Sequence, residues 1–99
     1  MTVRFLAPAR VELDDAIGWY ASRRADLGQD FLAEILDGLD HIQQFPNAWP
    51  SVDGSTRRFL LSRFPYSIIY EFYDSELVVI AIAHHKRRPE YWRQRRRPT

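Results

Sequence analysis

Seven consecutive apolar residues, Leu77 to Ala83, lead directly into His84-His85-Lys86-Arg87-Arg88-Pro89-Glu90-Tyr91-Trp92 and an arginine-rich end. A short apolar run rich in β-branched residues and bounded by polar ones reads as a buried strand. Its end delivers a cationic, aromatic segment to the rim of whatever sheet it joins. Within the run, Val78, Ile80 and Ile82 alternate with Val79, Ala81 and Ala83, so the bulkier set is expected against the covering layer. That parity turns His84 inward and leaves His85 and Arg87 on the open face.

Residues 57–62 and 66–73 are two more β-branched or aromatic runs. They are separated from each other by Arg63-Phe64-Pro65 and from the last run by the turn at Asp74-Ser75. Connections this short make an antiparallel meander. Upstream, Val3 to Ala7 is a short apolar run broken by Arg4, suited to an edge strand. Pro8 suits a first helical turn, where its missing N–H would have no partner. Val11, Leu13, Ala16, Ile17 and Tyr20 recur at helical spacing and predict a helix from Pro8 to about Arg24. Leu27-Gly28 reads as a break, after which Asp30 opens a second helix on the stripe Phe31, Ile35, Leu39 and Ile42. Pro46 stops that helix, and residues 47–55, with Pro50 and Gly54, read as a loop. A tight helical hairpin cannot bury both stripes by itself and needs the sheet. The expected class is α+β: an N-terminal strand, a helical hairpin, then an antiparallel β-meander packed on the helices.

Ninety-nine residues, 45% hydrophobic and 27% charged, suit a single domain over 1–99, with about 95–99 as a flexible basic tail. The absence of cysteine excludes disulfides, thiolate metal sites and cysteine nucleophiles, and fits a reducing, cytoplasmic setting. No segment reaches the roughly 18 apolar residues of a membrane span, so no membrane partner is expected. Charge is divided along the chain. Residues 1–54 hold nine acidic and four basic side chains, residues 55–99 four acidic and ten basic. Such asymmetry gives one surface that attracts a polyanion or an acidic partner chain.

Chemistry concentrates in His85, Lys86, Arg87, Arg88, Tyr91 and Trp92, with Arg57 and Arg58 on the neighbouring part of the meander. Guanidinium forks grip phosphates, aromatic rings stack on unpaired bases, and histidine moves protons near neutral pH. Together these are parts of an RNA-binding or RNA-cleaving surface. Metal-free cleavage needs a base for the ribose 2′-hydroxyl, cations for the developing charge and an acid for the leaving oxygen. Trp92 suits core packing better than stacking. Adjacent strand residues face opposite ways, so His84 and His85 do not share an ion, and neither a metal nor another cofactor is expected. The acidic residues of both helices, Glu12, Asp14, Asp15 and Asp37 among them, read as an exposed solubilising face. No Gly-rich phosphate loop or nucleophile elbow is present.

The order RRFLLSRFPYSIIYEF, a short turn, ELVVIAIAHHKRRPEYW and a final arginine-rich turn resembles the RelE/ParE superfamily of type II toxin-antitoxin toxins, which includes plasmid stabilisation proteins. The likeness extends over the whole chain and is strongest from Arg57 to Arg93. It implies a cytoplasmic toxin encoded beside a cognate antitoxin whose acidic or amphipathic segment wraps it. Free toxin then either cleaves mRNA on the ribosome, as RelE-like members do, or poisons DNA gyrase, as ParE-like members do. Arg58, Arg87 and Tyr91 match positions of the nuclease pattern, whereas Leu60 and Ser67 stand where it has basic residues. His85 is the candidate to replace the missing proton carrier. The residues' chemistry and the resemblance together give a candidate catalytic set of His85, Arg87 and Tyr91, with Arg57, Arg58, Arg63, Lys86 and Arg88 for phosphate. It favours a metal-independent endoribonuclease by a small margin, with a gyrase-binding toxin or an inactive antitoxin-binding domain as alternatives.

Overall fold

The computed structural model describes residues 2–95. The elements are β1 (Thr2–Phe5), α1 (Ala7–Arg23), α2 (Ala25–Gln44), β2 (Ser51–Asp53), β3 (Thr56–Leu60), β4 (Tyr66–Tyr73) and β5 (Glu76–His84). The strands form one sheet in the order β1-β5-β4-β3-β2. The meander β3-β4-β5 is antiparallel, and β1 joins it at the edge, parallel to β5 with Phe5 opposite Val79. This is the α+β arrangement that the sequence predicts. The segment read as a loop over 47–55 also contains the short β2, in which Ser51 pairs with Arg57.

The helical hairpin covers one face of the sheet. Phe31, Ile35 and Ile42 of α2 are fully buried, and each contributes about 1.5–3 kcal/mol by leaving water. Tyr20 of α1, Phe31, Phe64 and Tyr66 form an aromatic cluster with centroids 4.9–6.2 Å apart, which ties the hairpin to the start of β4. The helices are joined by Arg24 alone, in extended backbone, so α2 starts at Ala25 and not at Asp30. Gly28 is not a break. It is buried inside α2, where an added Cβ would lie 2.9 Å from Ala21 Cβ and 3.1 Å from the Ile17 carbonyl. Its missing side chain is what lets the two helices touch.

The strict alternation expected for the last strand fails at one residue. Ile69 faces Ala81 and Tyr70 faces Val79 across the ladder, so Ile80 is an inserted, bulged position. Leu77, Val79 and Ile82 pack in the helix-side core, whereas Ile80, Ala81 and Ala83 lie in a second cluster with Ile69 and Trp92. The bulge thus splits the expected set of Val78, Ile80 and Ile82. His84 does fall on the helix side, its ring edge-on to Tyr66 at 4.9 Å.

The second cluster is covered by the chain after β5. Tyr91 N–H donates to the Arg88 carbonyl at 3.2 Å, and Pro89 and Glu90 are the middle residues, Glu90 at φ 62°. This is a type II turn with Glu where Gly is usual. It folds Trp92 onto the sheet, leaving it 6% exposed. The basic tail expected from about residue 95 also changes: Arg95 is held in the fold by Glu12, while 96–99 lie outside the described residues. Among those residues, no helix is long and apolar enough to cross a membrane, and no group of three potential ligands gathers to hold a metal.

Candidate anion-binding cleft

On the sheet face opposite the helices, the turn after β5 stands off the meander and borders an open cleft of about 170 Å³. Arg58, Ser67, His85, Arg87, Arg88 and Trp92 are among its walls. The register explains the meeting. Ser67 sits opposite Leu60, and Arg58 sits opposite Ile69, so Arg58 and Ser67 are diagonal neighbours on one face. Diagonal positions lie about 7–8 Å apart, within reach of a long side chain. His85 leaves β5 in a tight turn, with its N–H donating to the Pro65 carbonyl at 2.8 Å. Its ring folds back so that Nε2 lies 2.9 Å from Ser67 Oγ. Ser67 itself is only 1% exposed, so its hydroxyl orients the imidazole and does not meet solvent.

Arg87 lies over the ring of Tyr91, its guanidinium carbon 3.9 Å from the centroid. A cation on an aromatic face is held without losing its charge. The Tyr91 hydroxyl points the other way, out of the cleft. It donates to Glu12 Oε2 at 2.6 Å, and Arg95 binds both carboxylate oxygens of Glu12 at 2.9 and 2.7 Å. Glu12 Oε1 also accepts the Ile82 N–H at 3.0 Å, and Arg95 donates to the Ile80 carbonyl at 2.9 Å. These two backbone groups lie on β5 beyond Val79, where β1 no longer pairs with it. Glu12 and Arg95 therefore cap a strand edge that the sheet leaves open.

The electrostatics follow from these contacts. Burial alone would raise the Glu12 pKa. The hydrogen bonds from Arg95, Tyr91 and Ile82, together with the Arg95 charge, outweigh burial and hold the carboxyl below its ordinary value. Tyr91 is pushed well above an ordinary phenol by burial, then by the hydrogen bond and charge of Glu12. It keeps its proton and directs it to Glu12. His84 is lowered by burial and then by the charges of His85 and Lys86. Its Nδ1 accepts the Lys86 N–H at 3.0 Å, a bond that only the unprotonated nitrogen can make.

The predicted residues thus divide. Arg58, His85, Arg87 and Arg88 meet at the cleft, and Lys86 stands beside it in the same turn. Arg57 faces the other way and donates to the carbonyls of Trp49 and Asn47 at 2.5 and 3.4 Å, so it anchors the loop before β2. Arg63 is remote, paired with Asp30 of α2 at 3.2 Å. Tyr91 lends the cleft a ring but not its hydroxyl. The residues that sequence reasoning passed over are Glu12, taken for part of an acidic surface, and Arg95, taken for tail. They are 83 positions apart in the chain, and no local spacing connects them.

Comparison with known proteins adds the family. The family model described as ParE toxin of type II toxin-antitoxin system, parDE, matches residues 3–89. A solved structure titled "Chromosomal ParDE TA system from P. aeruginosa" superposes with a TM-score of 0.72 at 20% identity, covering 85% of this chain and 95% of that one. At that identity the likeness concerns the fold. None of the curated proteins compared matches the chain.

Proposed function

The chain belongs to the ParE toxin family of type II toxin-antitoxin systems, and on that premise we propose that, freed of its antitoxin, it arrests growth by binding its target without cutting a covalent bond. The target implied by the family resemblance is DNA gyrase. The observation that supports a binding mode is the 2.6 Å bond from Tyr91 to Glu12, which takes the tyrosine hydroxyl away from the cleft. An acid for a leaving oxygen must reach the reacting group within hydrogen-bond distance and release its proton near neutral pH. Tyr91, with its pKa raised, meets neither condition. The cognate antitoxin is then a chain with an acidic or amphipathic segment, laid over the cationic cleft and the helical hairpin.

A second reading, metal-independent cleavage of mRNA on the ribosome, draws support from a different contact. His85 is fixed by Ser67 in a cleft that also holds Arg58 and Arg87, which sets a candidate base beside cations. One assay separates the two. Induced expression without antitoxin should stop growth, accumulate gyrase-DNA cleavage complexes and leave transcripts intact, and Tyr91→Phe should leave the arrest unchanged. Transcripts cut at defined sites, with cutting lost in His85→Ala, would replace this reading by the nuclease.

A further inference from the structure

Among the described residues, most guanidinium groups already have an acceptor. Arg4, Arg10, Arg24, Arg63, Arg93 and Arg95 each pair with a carboxylate, and Arg57 binds carbonyl oxygens. Around the cleft the pattern reverses. Among the described residues, the side chains of Arg58, Lys86 and Arg88 have no acceptor, and Arg87 has only the Tyr91 ring. The one carboxylate in the cleft wall, Glu90, is taken by Arg93. Like charges gathered without counter-charge raise the energy of the folded chain, unless an anion completes them.

We propose that the cleft binds the phosphodiester backbone of a nucleic-acid strand. Arg58 and Arg87 grip the phosphate oxygens, and His85 stands beside them, oriented by Ser67. When Ser67 donates to Nε2, the ring proton sits on Nδ1, which then serves as a third donor. Bases are not read. Trp92 is buried, Tyr91 is covered by Arg87, and the cavity is below the roughly 300–1,000 Å³ of sites that enclose a ligand. A peptide cannot add here as a further strand, because β4 has paired neighbours on both sides, so an acidic segment would meet the cations through its side chains alone. The ligand class is therefore sequence-blind and sugar-blind, DNA and RNA alike. This goes beyond the growth-arrest reading, and it is measured without gyrase or ribosomes, so either can fail alone.

The test is fluorescence anisotropy of labelled single-stranded DNA and RNA on the order of ten nucleotides long, titrated with the full chain across a salt series. Both strands should bind, with affinity falling steeply in salt, and each of Arg58→Gln and Arg87→Gln should reduce the log-log salt slope by about 0.7. Arg87→Lys, which keeps the charge, should retain the slope. Arg63→Gln, remote and paired, should change nothing. The thermal midpoint of each variant shows whether it is folded. No binding at about 50 mM salt, a slope the folded Arg58 and Arg87 variants leave untouched, or tight binding of polyglutamate in place of oligonucleotide would each overturn the proposal.

Discussion

The turn that follows β5 feeds two regions built from the same residue types, and it treats them oppositely. On its inner side Glu12, Tyr91 and Arg95 satisfy each other and two backbone groups of β5. On its outer side Arg58, Arg87 and Arg88 gather with no carboxylate paired to them among the described residues, Glu90 being taken by Arg93. An arginine that finds its acid during folding becomes part of the scaffold, whereas one left without an acid becomes a site. Composition does not separate the two outcomes, since both draw on one arginine-rich stretch. For Arg95 the outcome is decided by a single acid on α1, Glu12, and for Arg93 by Asp53 and Glu90.

Glu12→Ala should have the largest effect on that contrast. It removes the acceptor for Tyr91, Arg95 and the Ile82 N–H together, with Glu12 and Arg95 side chains only 15% and 17% exposed. Removing one member of a largely buried, hydrogen-bonded pair costs about 3 kcal/mol, to be read from urea denaturation. The effect should also carry a pH signature. The carboxyl is held below its ordinary value in the folded chain, so its contribution is complete above the unfolded glutamate value of about 4.3. It is lost as pH falls through the lowered, folded value. The gap between the parent and Glu12→Ala should therefore be widest near neutrality and close under acid. A gap that stays constant with pH would mean that Glu12 acts through packing and not through charge.

Ser67→Ala acts on the outer region and should cost less, about 1 kcal/mol, the usual net worth of one buried hydrogen bond. It frees the His85 ring and leaves the latch on Glu12 intact. The two sides are distinguished by what else changes: Glu12→Ala should loosen Trp92, visible as a red shift in its fluorescence, and Ser67→Ala should not. A comparable shift in both variants would show that latch and cleft form one unit.

The sequence carries much of this arrangement. The α2 stripe places Phe31, Ile35, Leu39 and Ile42 in the core, and the runs 66–73 and 77–84 become β4 and most of β5. Arg58, His85 and Arg87 are legible as a cluster because they belong to one short-turned meander, in which the end of β5 and a position on β3 lie on one face, with only β4 between them. Strand alternation should also have separated Arg57 from Arg58, since successive residues point to opposite faces. Other features leave no local trace. The bulge at Ile80 is an insertion relative to β4, and period-two reasoning on one strand cannot register its partner. Gly28 looks like a break in the sequence because close helix packing and chain reversal use the same residue. Ser67 stands out in the sequence only for the arginine it is not, and its bond to His85 exists only once β5 has turned.

The smallest expected effect concerns the unpaired cations. Arg58→Gln and Arg87→Gln remove positive charges that have no acceptor among the described residues. Exposed substitutions away from any partner usually stay within about 0.5 kcal/mol. Arg58→Gln should be neutral or slightly stabilising, because it relieves repulsion from the other cations around the cleft. Arg87→Gln should fall slightly lower, since it also gives up the stacking on Tyr91, worth roughly 0.5–1 kcal/mol at an exposed site. Thermal midpoints near that of the parent are the expected reading. A loss on the scale of Glu12→Ala would mean that these arginines are structural after all, and the division between a satisfied inner side and an unsatisfied outer side would fall with it.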